Sequence, residues 1–345
     1  MNLSGAHQWT FTSQGCTPWS PFNHQMHRQT QRPLFPLQLR FPAPAKGNRR
    51  FKIITTMALD PVTQPQKTII LNDHGEKLVG LLHDTGSREV VVLCHGFRSS
   101  KEQRTMVNLS VALENEGISA FRFDFAGNGE SDGSFAYGNY MREVEDLRNA
   151  VKHFNGARRI VTAIVGHSKG GGIVLLYASK YPDVRTVVNI SGRYDLKTGV
   201  AERLGEDFME RVKQDGFVDV KCNKTGNILY RVTEEALMDR LNTNMCEACL
   251  RIDKDCRVLT VHGSADEVIP VEDAYKFSKI IPNHKLHIME GANHSYTEHQ
   301  AQLVPLIVDF IKACLQQDKE TSSEDQGIPR AIPHHPSAQD IAAEG

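Results

Sequence analysis

Ser168 lies in Gly166-His167-Ser168-Lys169-Gly170, a G-x-S-x-G pentapeptide set between the β-branched run RIVTAIVG and a second apolar run. The pentapeptide alone is common by chance. Its place between a strand pattern and a helix pattern is what gives it meaning. A sharp strand-to-helix turn there forces the serine into a strained backbone, at a cost of about 1–3 kcal/mol. The turn also aims the hydroxyl outward at the carboxyl end of the sheet, where ligands bind in such folds. Gly166 and Gly170 are the small neighbours that let strand and helix pass closely. A serine hydroxyl is a poor nucleophile near neutral pH and needs a base. Asp266 in HGSADEVIP and His294 in GANHSY each follow a different strand pattern and fall in the loop beyond it. With Ser168 they make a catalytic set: His294 takes the hydroxyl proton, and Asp266 holds the imidazole in the right tautomer. The oxyanion that forms needs at least two N–H donors. The Lys169 amide, just after the nucleophile, is one. The Phe97 amide, after His95-Gly96 at the end of VVVLCH, is the other.

Other residues compete for these roles. His95 and His262 each end a strand before a glycine, which suits a turn-shaping residue better than a base. His167 precedes the nucleophile and is expected to point away from it. His299 falls near the start of the last helix, where a surface position is expected. Glu267 is an alternative acid beside Asp266. Lys169 could offer its charge to an anionic substrate group, or its stem could simply lie on the surface. The loop FDFAGNGESDGSF (123–135) superficially suggests a phosphate cradle, but the third glycine is missing and no helix follows directly. It reads as a tight loop at the rim of the site, with Asp124 satisfying loop amides. Cys246 and Cys249 invite a zinc reading. No second close pair accompanies them, and buried thiols fit better.

These side chains need a scaffold. Strand and helix signals alternate from residue 68 to 316: KTIILN, KLVGLLH, EVVVLCH, ISAFRFDF, RIVTAIVG, VRTVVNIS, RVLTVHG and HKLHIME read as strands. Helical periodicity is expected in SKEQRTMVNLSVALENEG, in YMREVEDLRNAVKHF, from Ser168 to Ala178, and near 271–281 and 297–315. Such alternation calls for a mostly parallel sheet with helices on both faces. Residues 193–253 break the rhythm. They are too long for a plain loop, carry only helical patches, and are expected to form a helical cap over the strand ends.

The 345 residues carry 40 basic and 41 acidic side chains, a net charge of −1. That balance makes no case for a nucleic-acid partner. No apolar run is long enough for a membrane span. Seven scattered cysteines do not suggest a disulfide framework. Residues 1–59 contain no Asp or Glu but seven basic residues, with much Ser, Thr, Gln and Pro. This composition predicts an organelle transit segment, nearer the plastid type because its prolines break any long amphipathic helix. Met57 is a possible second start, giving a cytoplasmic form. Without the seven basic residues, 33 face 41 acids, a net charge of −8. From Gln317 the chain turns polar and proline-broken and is expected to be a disordered tail; His334 and His335 there suit a solvated position.

LCHGF, FRFDFAGNGESDGSF, GHSKGG, HGSADEVIP and GANHSY together resemble the α/β-hydrolase superfamily, in particular cinnamoyl/feruloyl-type esterases and serine-aminopeptidase-like hydrolases. The similarity spans about residues 68–316, and the transit-like segment suggests a plant member. The resemblance implies the α/β-hydrolase fold, Ser168, Asp266 and His294 as triad, and Phe97 and Lys169 as oxyanion donors. The family commonly has Gln or Met after the nucleophile, so Lys169 is a departure. The expected activity is hydrolysis of a small-molecule carboxylic ester through an acyl-enzyme, with no cofactor or metal. Acyl transfer, thioester or amide hydrolysis, or a non-catalytic receptor for small molecules are the alternatives. Oligomeric state is left open.

Overall fold

A computed structural model of the chain describes residues 64–324. The transit-like segment, Met57, His334 and His335 lie outside the described residues. Eight strands form one sheet: β1 (Gln66–Leu71), β2 (Lys77–His83), β3 (Glu89–Cys94), β4 (Ser119–Phe123), β5 (Ile160–His167), β6 (Thr186–Ile190), β9 (Arg257–Gly263) and β10 (His284–Met289). Their order is β1-β2-β4-β3-β5-β6-β9-β10. β2 pairs antiparallel with β1 and β4, and the remaining pairs are parallel.

The apolar runs stay continuous because both faces of the sheet are covered. In β3, Val90, Val92 and Cys94 point to one side and Val91 and Leu93 to the other, all buried. The first side packs against α2 (Tyr140–Gly156), α3 (Lys169–Lys180) and α8 (Glu272–Ile280), through side chains such as Leu147, Ile173 and Phe277. The second packs against α1 (Arg104–Asn115) and α9 (Gln300–Glu324), through Leu109, Leu303 and Ile307. This is the expected two-sided α/β architecture. One boundary moves: α9 runs to Glu324 and so passes Gln317, where a tail was expected. The stretch QQDKETSSE has no proline, and Asp318 meets Arg257 at 2.8 Å, which fastens the added turns to the body.

The segment between β6 and β9 is not purely helical. It holds α4 (Val200–Leu204), α5 (Phe208–Asp215), the antiparallel hairpin β7 (Phe217–Lys221) with β8 (Ile228–Thr233), α6 (Glu234–Asn242) and α7 (Met245–Leu250). The hairpin carries no long apolar run because only Val218 and Val232 are fully withdrawn from solvent. Val200, Leu204, Val212, Val218, Val232 and Leu237 form a core of their own with Tyr137. Met245, Ala248 and Cys249 of α7 belong instead to the main core under α3. The cap therefore ends near Asn244, not at residue 253.

Candidate active site

The turn from β5 to α3 is as tight as the pentapeptide requires. Ser168 has φ 57° and ψ −117°, outside the comfortable regions for a side-chain-bearing residue. Its N–H donates to the Ile190 carbonyl of neighbouring β6 at 2.8 Å, which helps hold the strained peptide. A Cβ on Gly166 would lie 2.0 Å from the Gly170 carbonyl oxygen, and one on Gly170 would lie 2.5 Å from the Cys94 and His95 carbonyls. Both positions are closed to any side chain.

Three loops converge on the serine. His294 Nε2 lies 3.0 Å from Ser168 Oγ and accepts a hydrogen bond from it, while His294 Nδ1–H donates to Asp266 Oδ2 at 2.8 Å. The Asp266 side chain is fully buried. Burial alone would raise its carboxyl, but hydrogen bonds from His262 and His294 and from the Ile269 amide outweigh that and hold it well below the usual carboxylate range. The group stays ionised, as a partner for an imidazolium must.

The His294 peptide is clamped at both ends. Its N–H donates to Glu267 Oε2 at 3.2 Å, so Glu267 braces the imidazole loop while Asp266 contacts the ring. Its carbonyl accepts from His167 Nε2 at 2.8 Å, and His167 Nδ1 accepts from Gln103 Nε2 at 2.7 Å. His167 points away from the serine as expected, yet it positions the base from behind. Burial, then the nearby His294, depress it to about 3, so it stays neutral and keeps one donor and one acceptor. Only contacts across the fold reveal this brace; nothing in the pentapeptide signals it. Tyr296 adds another, with its hydroxyl 2.8 Å from Ser191 Oγ and 3.1 Å from the Val261 carbonyl.

The competing histidines take the structural roles expected. His95 Nδ1–H donates to the Gly96 carbonyl, and its Nε2 accepts from the Phe125 amide. His262 Nε2–H donates to the Ile269 carbonyl at 3.0 Å and lies 3.3 Å from Asp266 Oδ2, so it also steadies the acid. His299 sits half-buried just before α9.

Both oxyanion candidates are at the serine's side. Lys169 is the first residue of α3, and its N–H is among the first-turn donors that no helix carbonyl can reach. A Cβ on Gly96 would lie 3.2 Å from Ser168 Cβ, so the Phe97 peptide comes one residue after direct contact with the nucleophile. The Lys169 side chain corrects the expectation that it meets solvent or substrate. It is buried, with Nζ 2.6 Å from Glu143 Oε1 and 2.5 Å from the Gly138 carbonyl, and it lies 5.1 Å from the Tyr140 ring centre. Burial pushes the Glu143 carboxyl up to about 7, against the pull of Lys169. The departure from Gln or Met thus ties the elbow to the start of α2.

The rim joins site and cap. Phe97 packs edge-on against Phe135, Tyr137 and Tyr230, with centroids 5.2–5.7 Å away, so the loop after β3 anchors the cap's aromatic floor. Asp124 accepts from the Lys101 and Glu130 amides and from Lys101 Nζ, the loop-satisfying role expected of it. A cleft of about 480 Å³ opens between this loop and the hairpin, lined in part by Arg98, Asn128, Phe135 and Tyr230. Cys249 is buried, its thiol pushed up to about 12 by burial. No group of three or more His, Cys, Asp or Glu is arranged to hold a metal ion among the described residues. No described helix is long and apolar enough to cross a membrane.

Residues 85–245 match the serine aminopeptidase S33 family profile. A monoacylglycerol lipase of Mycolicibacterium smegmatis is 32% identical over 111 residues, 32% of this chain and 39% of that one. A mitochondrial palmitoyl-protein thioesterase, ABHD10 of Rattus norvegicus, is 24% identical over 54% of this chain and 61% of its own. The chain thus spans less than two thirds of each of these relatives' length. Among solved structures, Est1E of Butyrivibrio proteoclasticus with bound ferulic acid superposes with a TM-score of 0.62 at 22% identity, over 72% of this chain and 99% of that one. With the sheet order, the nucleophile turn and these likenesses in hand, the chain has the α/β-hydrolase fold.

Proposed function

We propose that this protein is a serine hydrolase of carboxylic esters that works through an acyl-enzyme. The observation that carries the reading is the continuous hydrogen-bond chain from Ser168 through His294 to Asp266. Ser168 Oγ attacks the ester carbonyl as His294 Nε2 takes its proton. Asp266, ionised and buried, stabilises the resulting imidazolium. The Lys169 and Phe97 amides donate to the oxygen that becomes negative. His294 then protonates the departing alcohol, and the acyl group stays on Ser168. Water, deprotonated by the same imidazole, releases the acid and restores the serine.

Lipase and thioesterase relatives support hydrolysis at an acyl carbonyl. The thioesterase among them favours including thioesters in the substrate search. The test is a panel of p-nitrophenyl acyl esters and acyl thioesters, with fluorophosphonate labelling of the same protein. Multiple turnovers and labelling that both vanish in Ser168→Ala support the reading. Absence of turnover and labelling, with ligands that only raise the melting temperature, overturns it in favour of a receptor. Residues 1–59 act in this reading as a plastid-targeting segment, supported by their acid-free, arginine-bearing composition. A fluorescent fusion of those residues that stays in the cytosol of plant cells would remove that part.

A further inference from the structure

Eight described arginines are withdrawn from full exposure. Arg122, Arg142, Arg148, Arg159, Arg211 and Arg257 each meet a carboxylate within 4.0 Å. The other two, Arg193 and Arg240, have no carboxylate within 4.0 Å among the described residues. Burying a guanidinium without a counter-charge is costly, and a fold that leaves two such groups together needs a reason.

Their positions suggest one. Arg193 follows the end of β6, the strand that holds the Ser168 amide, and its Nη2 donates to the Val268 carbonyl in the loop that carries Asp266. Arg240 comes down from α6 of the cap. Its Nη1 donates to the Tyr140 hydroxyl at 2.9 Å, and its guanidinium lies 5.1 Å from the Tyr137 ring centre. Tyr140 and Tyr137 in turn contact Lys169 and Phe97, the two oxyanion residues. Arg240 is only 9% exposed, and its Nε has no hydrogen-bond partner among the described residues. The same orphaned Nε occurs in Arg159 and Arg257, but there a carboxylate neutralises the cation. Burial, then the charge of Arg240, lower the Arg193 guanidinium from its ordinary value, against the weaker pull of Asp273. Arg203, exposed and 5.1 Å from the Phe97 ring centre, adds a third charge with no carboxylate within 4.0 Å among the described residues.

The acids nearby are already engaged. Asp239 accepts the Tyr140 amide, Asp273 accepts the Tyr194 amide and Lys276 Nζ, and Glu143 accepts Lys169 Nζ. An acid that entered between Arg193 and Arg240 would supply what the six paired arginines already have.

We propose, on the ester-hydrolase reading above, that the seam between cap and nucleophile turn bounded by Arg193 and Arg240 binds an ionised carboxylate of the substrate. The preferred ester then carries an anionic group as well as the scissile carbonyl. A guanidinium offers two parallel N–H donors to such a group, and its attraction is strong where water is thin.

The test compares 4-nitrophenyl hydrogen glutarate with its methyl-capped twin, 4-nitrophenyl methyl glutarate, following nitrophenolate release. The acid is expected to have the higher kcat/KM by about tenfold or more. Arg193→Gln and Arg240→Gln should each bring that ratio towards one, and Arg240→Lys should retain part of it. A wild-type ratio at or below one, or a ratio that neither glutamine variant moves, overturns the inference. Arg193→Gln suffices should Arg240→Gln fail to fold. Failure of the hydrolase reading shows separately, as no turnover of either ester. The seam is then tested by calorimetry on Ser168→Ala with glutaramate and its neutral twin glutaramide. Tighter binding of the anion, lost in Arg193→Gln, supports the inference; equal binding, or binding of neither, overturns it.

Discussion

The nucleophile turn and the cap share one seam and are built by opposite means. Around Ser168, polar groups are tied down one by one. The serine amide is held by β6, the imidazole by Asp266 in front and His167 behind, and the elbow lysine by Glu143. Strain at Ser168 and closed space at Gly166 and Gly170 complete a floor that cannot shift without breaking contacts. The cap is held by rings. Phe97, Phe135, Tyr137 and Tyr230 meet edge-on or stacked, and Arg240 lies over the Tyr137 ring with no carboxylate within 4.0 Å among the described residues. Aromatic packing tolerates small displacements; hydrogen-bond chains to a reacting atom do not. On the proposed hydrolase reading, reactivity belongs to the floor and choice of substrate to the cap.

The sharpest test of that division is Ser168→Ala, which should lower kcat by at least about 10⁴-fold while the melting temperature stays near wild type, read by ester assay and calorimetry. An active Ser168→Ala protein would break the division outright. Acid should single out the floor and sheet next, because no histidine lies between Tyr194 and Asn244. Burial depresses His95 and His284 to about 4 and His167 to about 3, against an ordinary 6.5. Between those values the unfolded chain binds more protons, so their stabilisation is complete above pH 6.5 and is lost as pH falls. Glu143, raised to about 7, acts in the opposite sense over its own range. The net loss between pH 7 and pH 4 should be on the order of 5 kcal/mol, measured by urea unfolding. An unchanged midpoint would contradict it.

Lys169→Met leaves Glu143 buried without its cation and should cost about 3–5 kcal/mol of stability. The double change Lys169→Met with Glu143→Leu should recover most of that loss, since an apolar pair can replace a buried ion pair. If the single change is silent, the elbow does not depend on this tie. His167→Leu should lower kcat about 10–100-fold with KM little altered, because it releases the His294 peptide without touching the substrate space. A change confined to KM would assign His167 to binding instead. The smallest effect belongs to the cap. Tyr230→Ala should cost about 0.5–1.5 kcal/mol in local packing and alter KM and the ranking of acyl chains more than kcat on a small ester. A collapse of kcat there would mean that the cap holds the oxyanion loop in place.

All eight strands of the main sheet, five of the helices around it, and the three side chains of the hydrogen-bond chain could be read from residue order. Fully buried strands write themselves as apolar runs, and a nucleophile turn writes itself in glycines; both are local steric requirements. The β7–β8 hairpin could not be read this way. Only Val218 and Val232 are fully buried there, so its pairing leaves little apolar trace. The brace at His167, the burial of Lys169 against Glu143, and the two guanidiniums without carboxylates were equally hidden. Each depends on which groups from distant segments meet, and a charge in a sequence carries no mark of whether its partner will arrive. Local chain chemistry thus specified the three side chains of the hydrogen-bond chain, while the packing of cap on sheet decided which charges meet a carboxylate among the described residues.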